Sequence, residues 1–123
     1  MNPDTDNISL AAFVAEIRRR APRGTLLVSE DELRDPLSSI VGRIHSDPYT
    51  MENRLVQKLL RRLAGGLDVD EFRLTEIFTF GPATLVILSA LIDDFESGRF
   101  DRAALCAALD SAGYQPDVHS DGA

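Results

Sequence analysis

The longest apolar stretch of the chain, residues 82–97, predicts a helix that neighbouring elements cover on several sides. Pro82 suits the first turn of a helix, where its missing N–H is not needed, and Gly98 suits the left-handed position after the last turn. At about 100° per residue, the apolar side chains spread over most of the circumference. The narrow polar arc that remains holds Ser89, Asp93 and Glu96.

This stretch is shorter than a membrane span requires. The run without charged residues extends from 77 to 92, whereas crossing a bilayer takes about 20 apolar residues. Gly81 and Pro82 also interrupt the run, because proline breaks a helix interior. We therefore expect residues 82–97 to form the core helix of a soluble domain.

Capping signals and apolar stripes predict shorter helices on either side of this stretch. They are expected at about 9–20, 51–63, 68–79 and 102–111, with a short helix after Ser29 that restarts at Pro36. The helix over 68–79 is predicted from a capping-box spacing, Asp68 to Glu71, and from the staple spacing of Leu67 and Phe72. Residues 25–28 are expected to form an extended connection that packs on the core.

These elements predict an all-α fold, a single compact domain of five or six short helices packed irregularly around residues 82–97. The tight corner at Gly81-Pro82 and the unequal helix lengths argue against a plain up-down four-helix bundle. Residues 1–7 and 115–123 lack capping signals and are expected to be disordered ends of a domain that covers 8–114.

Composition bears on the redox compartment and the source of the protein. The 123 residues include one cysteine, Cys106, so an internal disulfide is excluded, and the thiol is expected to be a small core group. Because the chain has no N-terminal apolar signal, a reducing cytoplasm is expected. Twelve arginines against one lysine favour a GC-rich bacterial source.

The residues offer little for catalysis, so no enzyme, cofactor or metal is expected. The two histidines, His45 and His119, are far apart in sequence, and no HxxxH, CxxC, glycine-rich phosphate loop or GxSxG motif is present. Residues 68–70 resemble the opening of a calcium loop but lack the later glycine and ligands.

Charge is distributed unevenly along the chain. The net charge of −7 combines a balance of +1 over residues 1–66 with −8 over residues 67–123. An acidic surface repels nucleic acid and attracts basic partners, although the same charge can serve solubility alone. This asymmetry favours a protein-protein interaction module that binds a basic partner, for which an immunity or antitoxin-type inhibitor is one concrete form.

The predicted partner-binding surface is an acidic cluster at the end of the central helix. Carboxylates in a last turn oppose the helix dipole, which makes their presence there informative. The alternative is that Arg99, Arg102 or arginines of the 51–63 helix neutralise the cluster. The predicted surface comprises Asp93, Asp94 and Glu96, extended by Glu71, Glu76 and an exposed Phe72.

A second candidate surface is basic. In the helix predicted over 51–63, four cations fall within about 100° of arc without an acid among them. They are Arg54, Lys58, Arg61 and Arg62. Such a stripe favours, as the alternative function, a nucleic-acid-associated regulator. It can equally pair with the acidic second half of the same chain, so nucleic acid is the less favoured partner.

Overall fold

The computed structural model describes residues 7–22, 28–65 and 72–111, and within them the predicted all-α single domain is confirmed. Two two-residue strands form one antiparallel pair, in which Asn7 faces Arg73 and Ile8 faces Phe72. In chain order the elements are β1 (Asn7–Ile8), α1 (Leu10–Arg20), α2 (Glu30–Arg34), α3 (Pro36–Ser46), α4 (Met51–Leu63), β2 (Phe72–Arg73), a 3₁₀ helix (Leu74–Thr79), α5 (Pro82–Glu96) and α6 (Arg102–Ser111).

Most helix boundaries follow from the capping residues. The side chains of Ser9, Asp35 and Thr50 each accept a hydrogen bond from a backbone N–H of the helix they precede. The predicted capping box of Ser29 and Glu32 is present in both directions. These local bonds satisfy N–H groups that a helix start otherwise leaves unpaired.

The central helix α5 is buried as its pattern predicts. Its main neighbours are α1, α2 and α3, and Ile87, Leu88, Leu91 and Ile92 are fully buried. Gly98 has a φ of +86°, the left-handed conformation that ends a helix without steric cost for glycine. Helix α6 packs against α3 and α4 and forms a second group of helices. Because α3 contacts both α5 and α6, it joins the two groups.

The helix predicted over residues 68–79 is confirmed over 74–79, where it is a 3₁₀ helix, and is wrong at residues 72–73. Phe72 and Arg73 are extended in β2, and a 3₁₀ helix follows over Leu74–Thr79. The reason is tertiary: the Phe72 ring stacks on Phe13 of α1 with centroids 4.4 Å apart and has no solvent exposure. The predicted start of that helix, with Glu71, lies outside the described residues, as do residues 25–27 and both predicted disordered ends except Asn7.

Two side chains with an apolar sequence setting are exposed. Met51 continues the apolar stripe of α4 in sequence, yet 78% of its surface is accessible in the first turn of that helix. Cys106 is also exposed, so the prediction that its thiol is a core group is wrong. Among the described helices, none has the length and apolar character needed to cross a membrane.

We predict that Phe72 contributes far more stability than Phe78 in the same segment. Phe72→Ala should lower the free energy of unfolding by about 3–5 kcal/mol, because it leaves a cavity against Phe13. Phe78→Ala is the matched control: its ring is 69% exposed, and the expected loss is below about 1 kcal/mol. Chemical denaturation measures both values, and equal losses would contradict the assigned role of the stack.

Candidate functional site

The acidic cluster at the end of α5 is built around one arginine of α1. The Arg18 guanidinium donates from Nη2 to Asp93 Oδ1 at 2.8 Å and to Glu96 Oε1 at 2.7 Å. Both carboxylates stay largely accessible, with 66% and 57% of their side chains exposed. Arg18 therefore ties α1 to α5 without removing either acid from solvent.

The charge of this site does not cancel. One guanidinium serves two carboxylates, which leaves a net charge of −1 beside the negative end of the α5 dipole. The pKa of Arg18 is raised above its usual value, mainly by the hydrogen bond with Glu96. Burial of the guanidinium is the next largest effect and acts in the opposite direction. The third acid, Asp94, is half-buried and has Arg99 Nε 3.6 Å from its Oδ1.

Sequence reasoning named Arg99 as a neutralising group but missed Arg18. Arg18, Arg19 and Arg20 lie in the last turn of α1, where cations complement the helix dipole, so the sequence offers a local explanation for Arg18. The available signal is its position four residues after the buried Val14, which places it beside the packed face of α1. The partner helix could not be inferred from that spacing.

The predicted extension of the acidic surface is contradicted at Phe72, whereas Glu71 lies outside the described residues. Phe72 is fully buried, so the expected exposed aromatic anchor is wrong. Glu76 accepts a hydrogen bond from the Arg73 N–H at 2.7 Å and lies 3.8 Å from Lys58 Nζ, on the α4 side of the molecule. The structure therefore brings together Asp93, Asp94 and Glu96 and links Glu76 to α4.

The basic stripe of α4 is largely occupied by contacts within the chain. Besides the Lys58–Glu76 pair, Arg61 Nη1 lies 4.0 Å from Asp110 Oδ1 of α6. Lys58 and Arg62 lie over the Phe72 ring, with Nζ 4.6 Å and Cζ 5.9 Å from its centroid. Arg54 is exposed.

Grooves between helices open on the described surface. One, of about 390 Å³, lies between α1, α2 and α5 and reaches the acidic cluster at Arg18 and Asp93. Another, of about 310 Å³, lies between α4 and the 3₁₀ helix, with Met51 and Thr79 among its lining residues. The described residues contain no group of three or more His, Cys, Asp or Glu side chains that could hold a metal ion.

Comparison of the chain with protein-family models, with curated proteins and with solved structures gives no match. The side chains and surfaces described above therefore carry the functional inference.

We predict measurable coupling between Arg18 and the two carboxylates that it binds. A double-mutant cycle of Arg18→Ala with Asp93→Asn and Glu96→Gln should give about 0.5–1 kcal/mol at low salt, a value typical of partly exposed pairs. The coupling should decrease as salt screens the charges. It is measured from denaturation curves of the variants.

The control cycle uses Arg34→Ala with Asp31→Asn, an exposed pair within one short helix. Its expected coupling is about 0.3 kcal/mol, the usual value for neighbouring charges on a helix surface. Coupling at Arg18 no larger than in this control would contradict a role for Arg18 in joining α1 to α5.

Proposed function

We propose that the protein is a protein-protein interaction module that binds a basic partner through the acidic cluster of Asp93, Asp94 and Glu96. The observation that carries this proposal is the excess of accessible carboxylate over cation at the end of α5. Such an arrangement leaves acceptor positions for an incoming arginine or lysine. The balance of −8 over residues 67–123 supports the same sign of partner.

Binding would complete the charge balance that Arg18 leaves unfinished. A partner guanidinium placed beside Asp93 and Glu96 would convert a two-to-one cluster into a two-to-two network. The adjoining groove, which Leu33 and Val86 line, offers apolar contact next to these charges. Charges of this exposed kind mainly accelerate encounter, so association should slow as salt is added.

A concrete form of the proposal is an immunity or antitoxin-type inhibitor that covers a basic toxin in the cytoplasm. This form rests on the size and charge of the chain. The exposed thiol of Cys106 is compatible with a reducing compartment.

We predict that Asp93→Asn, Asp94→Asn and Glu96→Gln together weaken binding of the partner by at least about tenfold, or ~1.4 kcal/mol. The fold should persist, because two of these side chains are exposed and the third is half-buried. The wild-type protein, this triple variant and the control variant described below each serve as bait in cell extract. Proteins that the wild type retains and the triple variant does not retain are identified. The affinity of the purified partner is then measured against salt concentration.

The control carries the same change of charge at three separated acids, one in α2, one directly after α3 and one in α6: Asp31→Asn, Asp47→Asn and Asp110→Asn. It should retain the partner, since the proposal requires a local cluster and not net charge alone. Partner binding that is equal in both triple variants would contradict the assigned surface. A partner with an acidic binding face would contradict the proposed class.

The alternative function, a nucleic-acid-associated regulator, would use Arg54, Lys58, Arg61 and Arg62. We do not favour it, because contacts within the chain already engage Lys58, Arg61 and Arg62. Those contacts would have to be exchanged for phosphate, and the net charge of −7 opposes approach of a polyanion.

We predict no binding of duplex DNA or RNA above weak background at low salt, as measured by fluorescence anisotropy. The control is a variant with Arg54, Lys58 and Arg61 changed to alanine, which should give the same weak signal. Micromolar affinity that this variant loses would reverse the preference between the two functions.

A further inference from the structure

The groove of about 390 Å³ lies over a face of α5 that the neighbouring helices leave partly open. Four α5 residues line it at successive spacings of three, one and three residues, so they form a single stripe over two turns of the helix. They are Val86, Ser89, Ala90 and Asp93. The first three are half-buried and Asp93 is exposed, whereas most other apolar residues of α5 are buried. A helix that is otherwise core therefore presents surface to solvent here.

The groove is apolar along most of its length and charged at one end. Ala21 and Pro22 line it after α1, and Leu33 of α2, which is 40% exposed, lines it from the other side. Its two charged lining residues, Arg18 and Asp93, are bonded to each other at 2.8 Å, so the charge gathers where Asp93 lies. The apolar end at Val86 is two turns away, or about 10 Å along α5.

The charged end of the groove is negative. Arg18 also binds Glu96, so the single guanidinium faces two carboxylates and one negative charge is left over. The third acid of this turn, Asp94, has Arg99 within 3.6 Å and adds no further net charge. A cation of a partner that approached Asp93 would therefore meet an uncancelled carboxylate beside an apolar groove.

Helix α2 contributes a second uncancelled carboxylate on its side of the groove. Glu30 lies one turn before Leu33, is exposed and has no ion pair with any described residue. The other two acids of α2 are paired with arginines. These pairs are Asp31–Arg34 and Glu32–Arg43.

The remaining cations of α1 do not reverse this sign. Arg19 and Arg20 share Glu16, which leaves one positive charge, and Arg20 lies over the Phe78 ring at 5.0 Å on the 3₁₀ helix. Counted together with the two uncancelled carboxylates, this charge still leaves the described surroundings of the groove negative. Charge complementarity therefore favours a basic occupant.

We propose that the groove binds an apolar side chain of the basic partner, next to the arginine or lysine that this partner places at Asp93 and Glu96. The inference rests on the proposed function and adds the chemistry of the partner segment: a cation and an apolar side chain within about 10 Å, the length of the α5 stripe. The two parts of the site then have different roles. The acidic cluster mainly sets the rate of association, and the groove sets the rate of dissociation.

The test is selection from a phage-displayed library of random peptides on the immobilised full chain, because such a library presupposes neither charge nor hydrophobicity. Selected peptides should carry Arg or Lys together with a large apolar residue a few positions away. Binding of the synthetic peptides is then measured by surface plasmon resonance, which gives association and dissociation rate constants separately.

Two variants alter the groove without changing its charge. Leu33→Ser removes apolar surface from its α2 side, and Ala90→Gln places a longer side chain on its α5 side while keeping a good helix former. Each should raise the dissociation rate constant of the peptides at least about fivefold and leave the salt dependence of association unchanged. The triple change of Asp93, Asp94 and Glu96 should instead mainly lower the association rate constant and its dependence on salt.

Matched controls make the same substitutions outside the groove. Leu74→Ser changes a leucine of similar exposure, 36%, in the 3₁₀ helix, and Ala108→Gln changes a half-buried alanine of α6. Both should bind the peptides as wild type does. Thermal denaturation of all variants checks that the fold is retained.

The outcomes separate this inference from the proposed function. Basic peptides that the triple variant loses, but that dissociate from Leu33→Ser and Ala90→Gln as from wild type, would overturn the inference and support the proposed function. Peptides without basic residues that the triple variant binds unchanged would overturn both. Recovery of no specific binder, or a dimer in sedimentation experiments that Leu33→Ser dissociates, would also overturn the inference, and the dimer would assign the groove to a second copy of this chain.

Discussion

The fold depends on the need to bury a helix that is apolar around most of its circumference. No single neighbour can cover α5, so α1, α2 and α3 pack against it from different sides. Its four fully buried side chains, Ile87, Leu88, Leu91 and Ile92, would each forfeit about 1.5–3 kcal/mol if left in water. The remaining helices then pack on this group, with α3 in contact with both α5 and α6.

The positions of charge follow from that packing. Where α1 meets the end of α5, Arg18 serves two carboxylates and the site stays negative. On another side of α1, Glu16 serves two guanidiniums and the surface stays positive beside Phe78. One short helix therefore takes part in charge clusters of opposite sign, and the acidic one is the proposed binding surface. Exposed pairs of this kind contribute little to the stability of the fold.

The 3₁₀ helix shows how a core contact shapes a surface. Stacking of Phe72 on Phe13 fixes residues 72–73 as a strand and starts the 3₁₀ helix that follows. This placement exposes Phe78 and engages Lys58 and Arg62 of the basic stripe through the Phe72 ring. The aromatic side chain predicted to be exposed, Phe72, is buried, and Phe78 six residues later is exposed beside Arg20.

The sequence by itself determined the helices whose causes are local. Caps at Ser9, Ser29, Asp35 and Thr50, the proline that begins α5 and the glycine that ends it act within a few residues, so their pattern is readable along the chain. It also identified the acids of α5, because a carboxylate at the wrong end of a helix dipole is a local irregularity. Only the tertiary structure decided that Arg18 meets these acids, that Phe72 is buried and that Met51 is exposed. Each of these depends on which distant element covers the residue, and hydrophobic periodicity reports that a face is apolar without stating what will lie against it.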